Sequence, residues 1–92
     1  MKIEYTTQFK REYKKYHKKH YPVERIETAI DAIVNDNQLV LQRMKNHSLV
    51  GNWNGFNELH LQSNWLMIYR IDNNRVILTL TRLGTHQSLF LI

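Results

Sequence analysis

Near residue 56 the hydrophobic period of this chain changes from about 3.6 to about 2, and that switch restricts the folds open to it. Upstream, in "QFKREYKKYHKKH", Phe9, Tyr13 and Tyr16 fall on one helical face, with His20 a turn further on. Lys10, Arg11, Lys14, Lys15, Lys18 and Lys19 are left outside. Val23, Ile26, Ala29, Ile30, Ile33 and Val34 repeat at the same spacing, so a second helix follows. Pro22 suits its first turn, Glu24 and Glu27 suit its positive end, and "NDN" (Asn35 to Asn37) closes it. Before both helices, "MKIEYTT" reads as a short strand running into a Thr N-cap at Thr6 or Thr7.

Downstream the alternation is that of strands. "FNELHL", "WLMIYRI" and "RVILTLTRL" form three, and "DNN" (Asp72 to Asn74) turns the last two into a hairpin. The intervening "QLVLQRMKNHSLVGNWNG" is polar, holds Gly51 and Gly55, and is expected to be irregular. The order β-α-α-β-β-β predicts an α+β domain over residues 1–92, with two helices on one face of a mainly antiparallel sheet. The other sheet face is expected to be partly open. At 92 residues one domain can bury only about two-thirds of its unfolded surface.

Composition removes several function classes. There are no cysteines, hence no disulfides and no thiolate metal site, which suits a reducing cytoplasm. No stretch approaches the roughly 18 apolar residues of a membrane span, and the start lacks the apolar core of a signal peptide. A cytoplasmic protein with no membrane partner is expected. The net charge is +5, and seven of the 13 Lys and Arg residues lie in the first 20 positions. Such a density attracts phosphate polyanions or an acidic protein, although a basic helix face can also be simply solvated.

The chemistry resides in the histidines. His17 and His20 belong to the basic helix, but His47, His60 and His86 occupy other settings. Alternation in "ELHL" sends Leu59 and Leu61 to one sheet face and His60, with Glu58, to the other. All three glycines, Gly51, Gly55 and Gly84, lie within five residues of His47, His60 or His86, and glycine permits the tight turns that could gather separate segments. Imidazoles give and take protons near neutral pH. Flanking a phosphodiester, they could deprotonate a 2′-hydroxyl and protonate a 5′-oxygen, help worth about 10²–10⁴-fold. Arg82 could offset charge on the five-coordinate phosphate, and Trp65 and Phe90 could stack on bases. Three histidines can also ligate zinc, but there is no HxH or HxxxH pair here. Trp53, Phe56 and Tyr69 read as packing residues, Trp65 as either packing or site, and Arg70 and Arg75 as solvated strand ends, although Arg70 could also meet RNA phosphate.

Three stretches, "HSLVGNW", "ELHLQSNWLMIYRI" and "LTRLGTHQSLF", together with "YTTQFKREYKK" near the start, resemble the YafQ-like branch of the RelE/ParE toxins of bacterial type II toxin–antitoxin systems. The likeness covers nearly the whole chain. It implies a compact RelE-like, microbial ribonuclease-type fold. The implied activity is metal-independent, cofactor-free cleavage of mRNA in the ribosomal A site, leaving a 2′,3′-cyclic phosphate and a 5′-hydroxyl. By position, His47, His60 and His86 would be the acid–base and phosphate-contacting groups. Phe90 would position the base or the catalytic histidine, Trp65 would line the site, and Arg82 would contact phosphate. The implied partners are a cognate antitoxin, whose C-terminal segment wraps the toxin in a hetero-oligomer, and ribosomal RNA. One position departs. Where the family usually has an aspartate before the strand tryptophan, this chain has Asn64, an amide that cannot ionise but can orient a histidine or hold a hydroxyl. Alternatives of another class are a gyrase-inhibiting toxin of the same fold and a catalytically weakened RNA- or protein-binding relative.

Overall fold

The computed structural model describes residues 1–90; positions 91 and 92 of the expected domain lie outside the described residues. The chain runs β1 (Lys2–Tyr5), α1 (Thr7–Lys18), α2 (Glu24–Val34), α3 (Gln38–Arg43) and β2 (His47–Ser48). A 3₁₀ turn (Gly51–Trp53) then leads to β3 (Asn57–Gln62), β4 (Trp65–Asp72), β5 (Ile77–Gly84) and α4 (His86–Phe90). The sheet order is β1-β5-β4-β3-β2. β1 pairs with β5 in parallel and every other pair is antiparallel. The α+β reading, with helices packed on a mainly antiparallel sheet, is what the structure shows.

Local signals account for the helices. Thr6 caps α1 by accepting from the Phe9 N–H at 3.0 Å, and its hydroxyl also donates to the Thr81 carbonyl at 2.7 Å. α1 stops at Lys18, so His20 lies beyond the helix, exposed and at φ 63. It occupies the left-handed position of a Schellman turn: the Tyr21 N–H reaches the Tyr16 carbonyl and the His20 N–H reaches the His17 carbonyl, both at 3.1 Å. Asp36 (φ 51) ends α2 and Lys45 (φ 55) ends α3 in the same way.

Three elements were not expected. α3 forms within the stretch read as irregular because Asn37 caps it, accepting from the Val40 N–H at 3.3 Å, and Leu41 is buried. The two residues of β2 extend the sheet beside β3. α4 forms through reciprocal capping, in which Thr85 Oγ1 accepts from the Ser88 N–H at 3.2 Å and Ser88 Oγ accepts from the Thr85 N–H at 2.9 Å.

The main core lies between helices and sheet, where Phe9, Tyr16, Ile26, Ala29, Ile33 and Leu41 meet Leu59, Leu61, Trp65, Met67, Tyr69, Leu78 and Leu80. The opposite sheet face is less open than alternation suggested. Leu66, Ile68 and Leu89 form a second cluster, covered by Leu49, Trp53, Phe56 and Phe90. β4 is apolar on both faces, and a period of two does not reveal what covers the far one.

Candidate functional site

β2, β3 and the start of α4 contribute to that second face, and so all three singled-out histidines arrive on it. The centre is a carboxylate. Glu58 is 2 % exposed and is the cross-strand neighbour of His47. Its Oε1 lies 3.4 Å from His47 Nε2 and 3.8 Å from His60 Nε2. Its Oε2 is buried with no hydrogen-bond partner among the described residues. A buried carboxylate needs a compensating charge or donors, and the two imidazoles are the groups that face it. Sequence alternation had placed Glu58 beside His60 without a role. The available signal was the i, i+2 spacing of an acid and a histidine in one strand.

His47 is also held from the other side. Its Nδ1 lies 2.8 Å from the Lys45 carbonyl, which the left-handed turn at the end of α3 presents to it. The preceding residue, Asn46, accepts a short hydrogen bond from the Tyr69 hydroxyl of β4. Burial pushes the Tyr69 phenol up to about 12, and the bond to Asn46 offsets part of that rise.

His86 enters from α4. Its ring is exposed and stands 5.2 Å from the Phe90 ring at a 54° tilt. Phe90 meets Trp53 edge-on at 6.3 Å, and Trp53 meets Phe56 at 5.3 Å. The terminal aromatic is thus seated on the 3₁₀ segment, one turn of helix below His86. Asn64, in the turn between β3 and β4, accepts the His86 backbone N–H at 3.2 Å and so ties α4 to the β3–β4 turn. The amide touches the histidine's main chain rather than its imidazole.

Two expected substrate-binding residues are engaged by partners within the chain. Trp65 is 1 % exposed and packs on the helix side, 5.5 Å from Tyr16 and 5.0 Å from Tyr21. The ring is packed among core side chains and offers almost no surface for stacking on a base. The strand's first residue points to the core because β4 alternates from there through Met67 and Tyr69. Arg82 is bound to Glu12 of α1 through Nη2 at 3.0 Å and Nε at 3.2 Å, and the same carboxylate accepts the Leu83 N–H at 2.9 Å. A phosphate would find Nε and Nη2 already occupied by Glu12, and the pair is neutral overall. Among the described residues no group of three or more His, Cys, Asp or Glu is placed to hold a metal ion.

A family model described as the bacterial toxin of type II toxin–antitoxin system, YafQ, matches residues 1–91. The mRNA interferase toxin YafQ of Escherichia coli K12 is 28% identical over 88 residues, covering 96% of this chain and 94% of that protein. The crystal structure of the E. coli DinJ–YafQ complex superposes with a TM-score of 0.83 at 28% identity, covering 96% of each chain. A metal-bound toxin from Helicobacter pylori superposes with a TM-score of 0.89 at 28% identity, covering 98% of this chain and 99% of that one.

Proposed function

Since this chain belongs to the YafQ family of toxins from bacterial type II toxin–antitoxin systems, we propose that it is an mRNA interferase that cuts message in the ribosomal A site by histidine acid–base catalysis. One imidazole takes the proton of a ribose 2′-hydroxyl, whose oxygen attacks the adjacent phosphorus. A second imidazole protonates the departing 5′-oxygen. The products are a 2′,3′-cyclic phosphate and a 5′-hydroxyl, and neither proton transfer requires a metal. What supports this is one observation above all: His47, His60 and His86, distant in sequence, share the sheet face on which Phe90 is seated. His86, exposed against the Phe90 ring, is suited to meet RNA, and Phe90 to position a base or the imidazole.

The related YafQ of E. coli forms a complex with DinJ. We assign this chain an antitoxin of its own, whose C-terminal segment wraps the toxin in a hetero-oligomer, and the cytoplasm as its place of action. The exposed lysines and arginine of α1 serve the encounter with ribosomal RNA or with that antitoxin.

Primer extension on a translated mRNA after induction tests the reading. Wild type is expected to leave codon-phased cuts, and His86→Ala to lower them by about 10²–10⁴-fold. The pairing of Arg82 with Glu12 and the amide at Asn64 favour a second reading, a weakened relative that acts by binding. Translation arrest with intact message would establish it, and gyrase inhibition with intact message would point to the DNA-topology toxins of this fold.

A further inference from the structure

The three histidines do not have equal access to a substrate, and the inequality follows from donor and acceptor counting. The Lys45 carbonyl can only accept, so His47 Nδ1, 2.8 Å away, carries a hydrogen. His47 Nε2 faces the Glu58 carboxylate at 3.4 Å. A hydrogen on that nitrogen would face the carboxylate oxygen favourably, so both ring nitrogens of His47 look toward acceptors. Both of its nitrogens are committed. His60 turns Nε2 toward the same oxygen at 3.8 Å, beyond hydrogen-bond reach, and no hydrogen bond to its Nδ1 occurs among the described residues.

Resting on the ribonuclease reading above, we propose that Glu58 is the positioning residue of the site: pinned by His47, its buried carboxylate orients His60 so that His60 Nδ1 removes the 2′-hydroxyl proton. The O–H bond breaks toward Nδ1 and the oxygen forms its bond to phosphorus. The P–O5′ bond then breaks, and the leaving oxygen takes a proton from His86. A carboxylate behind an imidazole, fixing its tautomer and answering the charge it gains, is a general way to sharpen a base. Asn64 cannot fill either role, since an amide neither ionises nor answers charge, and its oxygen is engaged by the His86 main chain. The arrangement therefore supplies a base where this chain has no aspartate.

Two measurements on the purified full-length chain decide it, and the first needs no nuclease activity. Diethyl pyrocarbonate acylates an imidazole nitrogen only where a lone pair is available, and mass spectrometry reads each histidine separately. His47 is 50% exposed at the side chain and His60 only 23%, so exposure alone ranks His47 as the faster. The proposal ranks it slower: His60 and His86 react, His47 is protected, and Glu58→Gln speeds His47 about tenfold. Equal rates for His47 and His86 in the wild type, or no change in Glu58→Gln, overturn it. The second is single-site cleavage on programmed ribosomes. Glu58→Gln should lower kcat about 100-fold with KM within about twofold, Glu58→Asp should recover about tenfold, and His60→Gln should cost about tenfold more than His47→Gln. An unchanged kcat in Glu58→Gln, or a loss confined to KM, overturns the role. A wild type that protects His47 yet leaves message intact would sink the ribonuclease reading while keeping the Glu58 clasp. If Glu58→Gln does not fold, the wild-type acylation ranking and Glu58→Asp still decide.

Discussion

At position 64 the amide oxygen holds the first residue of α4, and an aspartate there would accept the same His86 N–H. Asn64→Asp should therefore keep α4 in place while adding a group able to ionise. Single-turnover cleavage is expected to rise about tenfold, within the range of general-base assistance. An unchanged rate would show that an ionising group at position 64 adds nothing to cleavage. Position 65 carries the opposite lesson. Trp65 contacts Tyr16 and Tyr21 in the core, and its buried indole N–H finds no partner among the described residues. Trp65→Phe removes ring area but leaves no polar group stranded. It should cost about 1–2 kcal/mol in urea unfolding and leave cleavage by the folded protein within about twofold. A large loss of cleavage at full stability would return Trp65 to the site.

The element scale is governed by how the helices end. His20, Asp36 and Lys45 all adopt left-handed backbone at helix ends, where a Cβ costs energy and glycine does not. His20 is exposed and its turn closes α1, so His20→Gly should stabilise the fold by about 1 kcal/mol. In a domain of this size that is a rise of about 4–8 °C in Tm, readable by circular dichroism. A lower Tm would show that the imidazole makes contacts worth more than the strain. The same turn at Lys45 has a second consequence, because the reversed chain delivers the Lys45 carbonyl to His47. Glycine there would free that carbonyl's geometry along with the backbone.

For the molecule as a whole, the sheet divides two surfaces. α1 packs on the side of Phe9, Tyr16 and Trp65, whereas Glu58 and the seat of Phe90 lie on the other. The basic helix face therefore belongs to a different layer from the histidines. Global stability should report a buried phenol of the helix-side core. Tyr69 stays neutral in the fold up to about 12, against an ordinary value near 10 in the unfolded chain. Below pH 10 both states hold the proton and the slope is flat. Between pH 10 and 12 the unfolded chain loses it first, and stability should fall by about 2–3 kcal/mol. Tyr16, also pushed up by burial, adds in the same direction. Urea unfolding across this window should show the fall, and Tyr69→Phe should remove most of it. An equally steep fall in the variant would assign the effect to other groups.

Local sequence was sufficient for what local forces decide. The change of period separated helices from strands, Thr6 announced α1, and Asp72 shaped the hairpin by accepting the Asn74 N–H. Alternation alone set His60 and Glu58 against Leu59 and Leu61, because successive strand residues must face opposite ways. The likeness of spaced motifs identified which histidines to watch. Tertiary structure decided the rest. α3 and α4 are too short to show a period, and their caps became legible only once formed. Trp65 and Arg82 have side chains that suit either a site or a core, and the partners they take, Tyr16, Tyr21 and Glu12, come from distant parts of the chain. The Glu58 clasp needed two strands in register, since a carboxylate becomes an anchor for imidazoles only when the fold has removed water from around it.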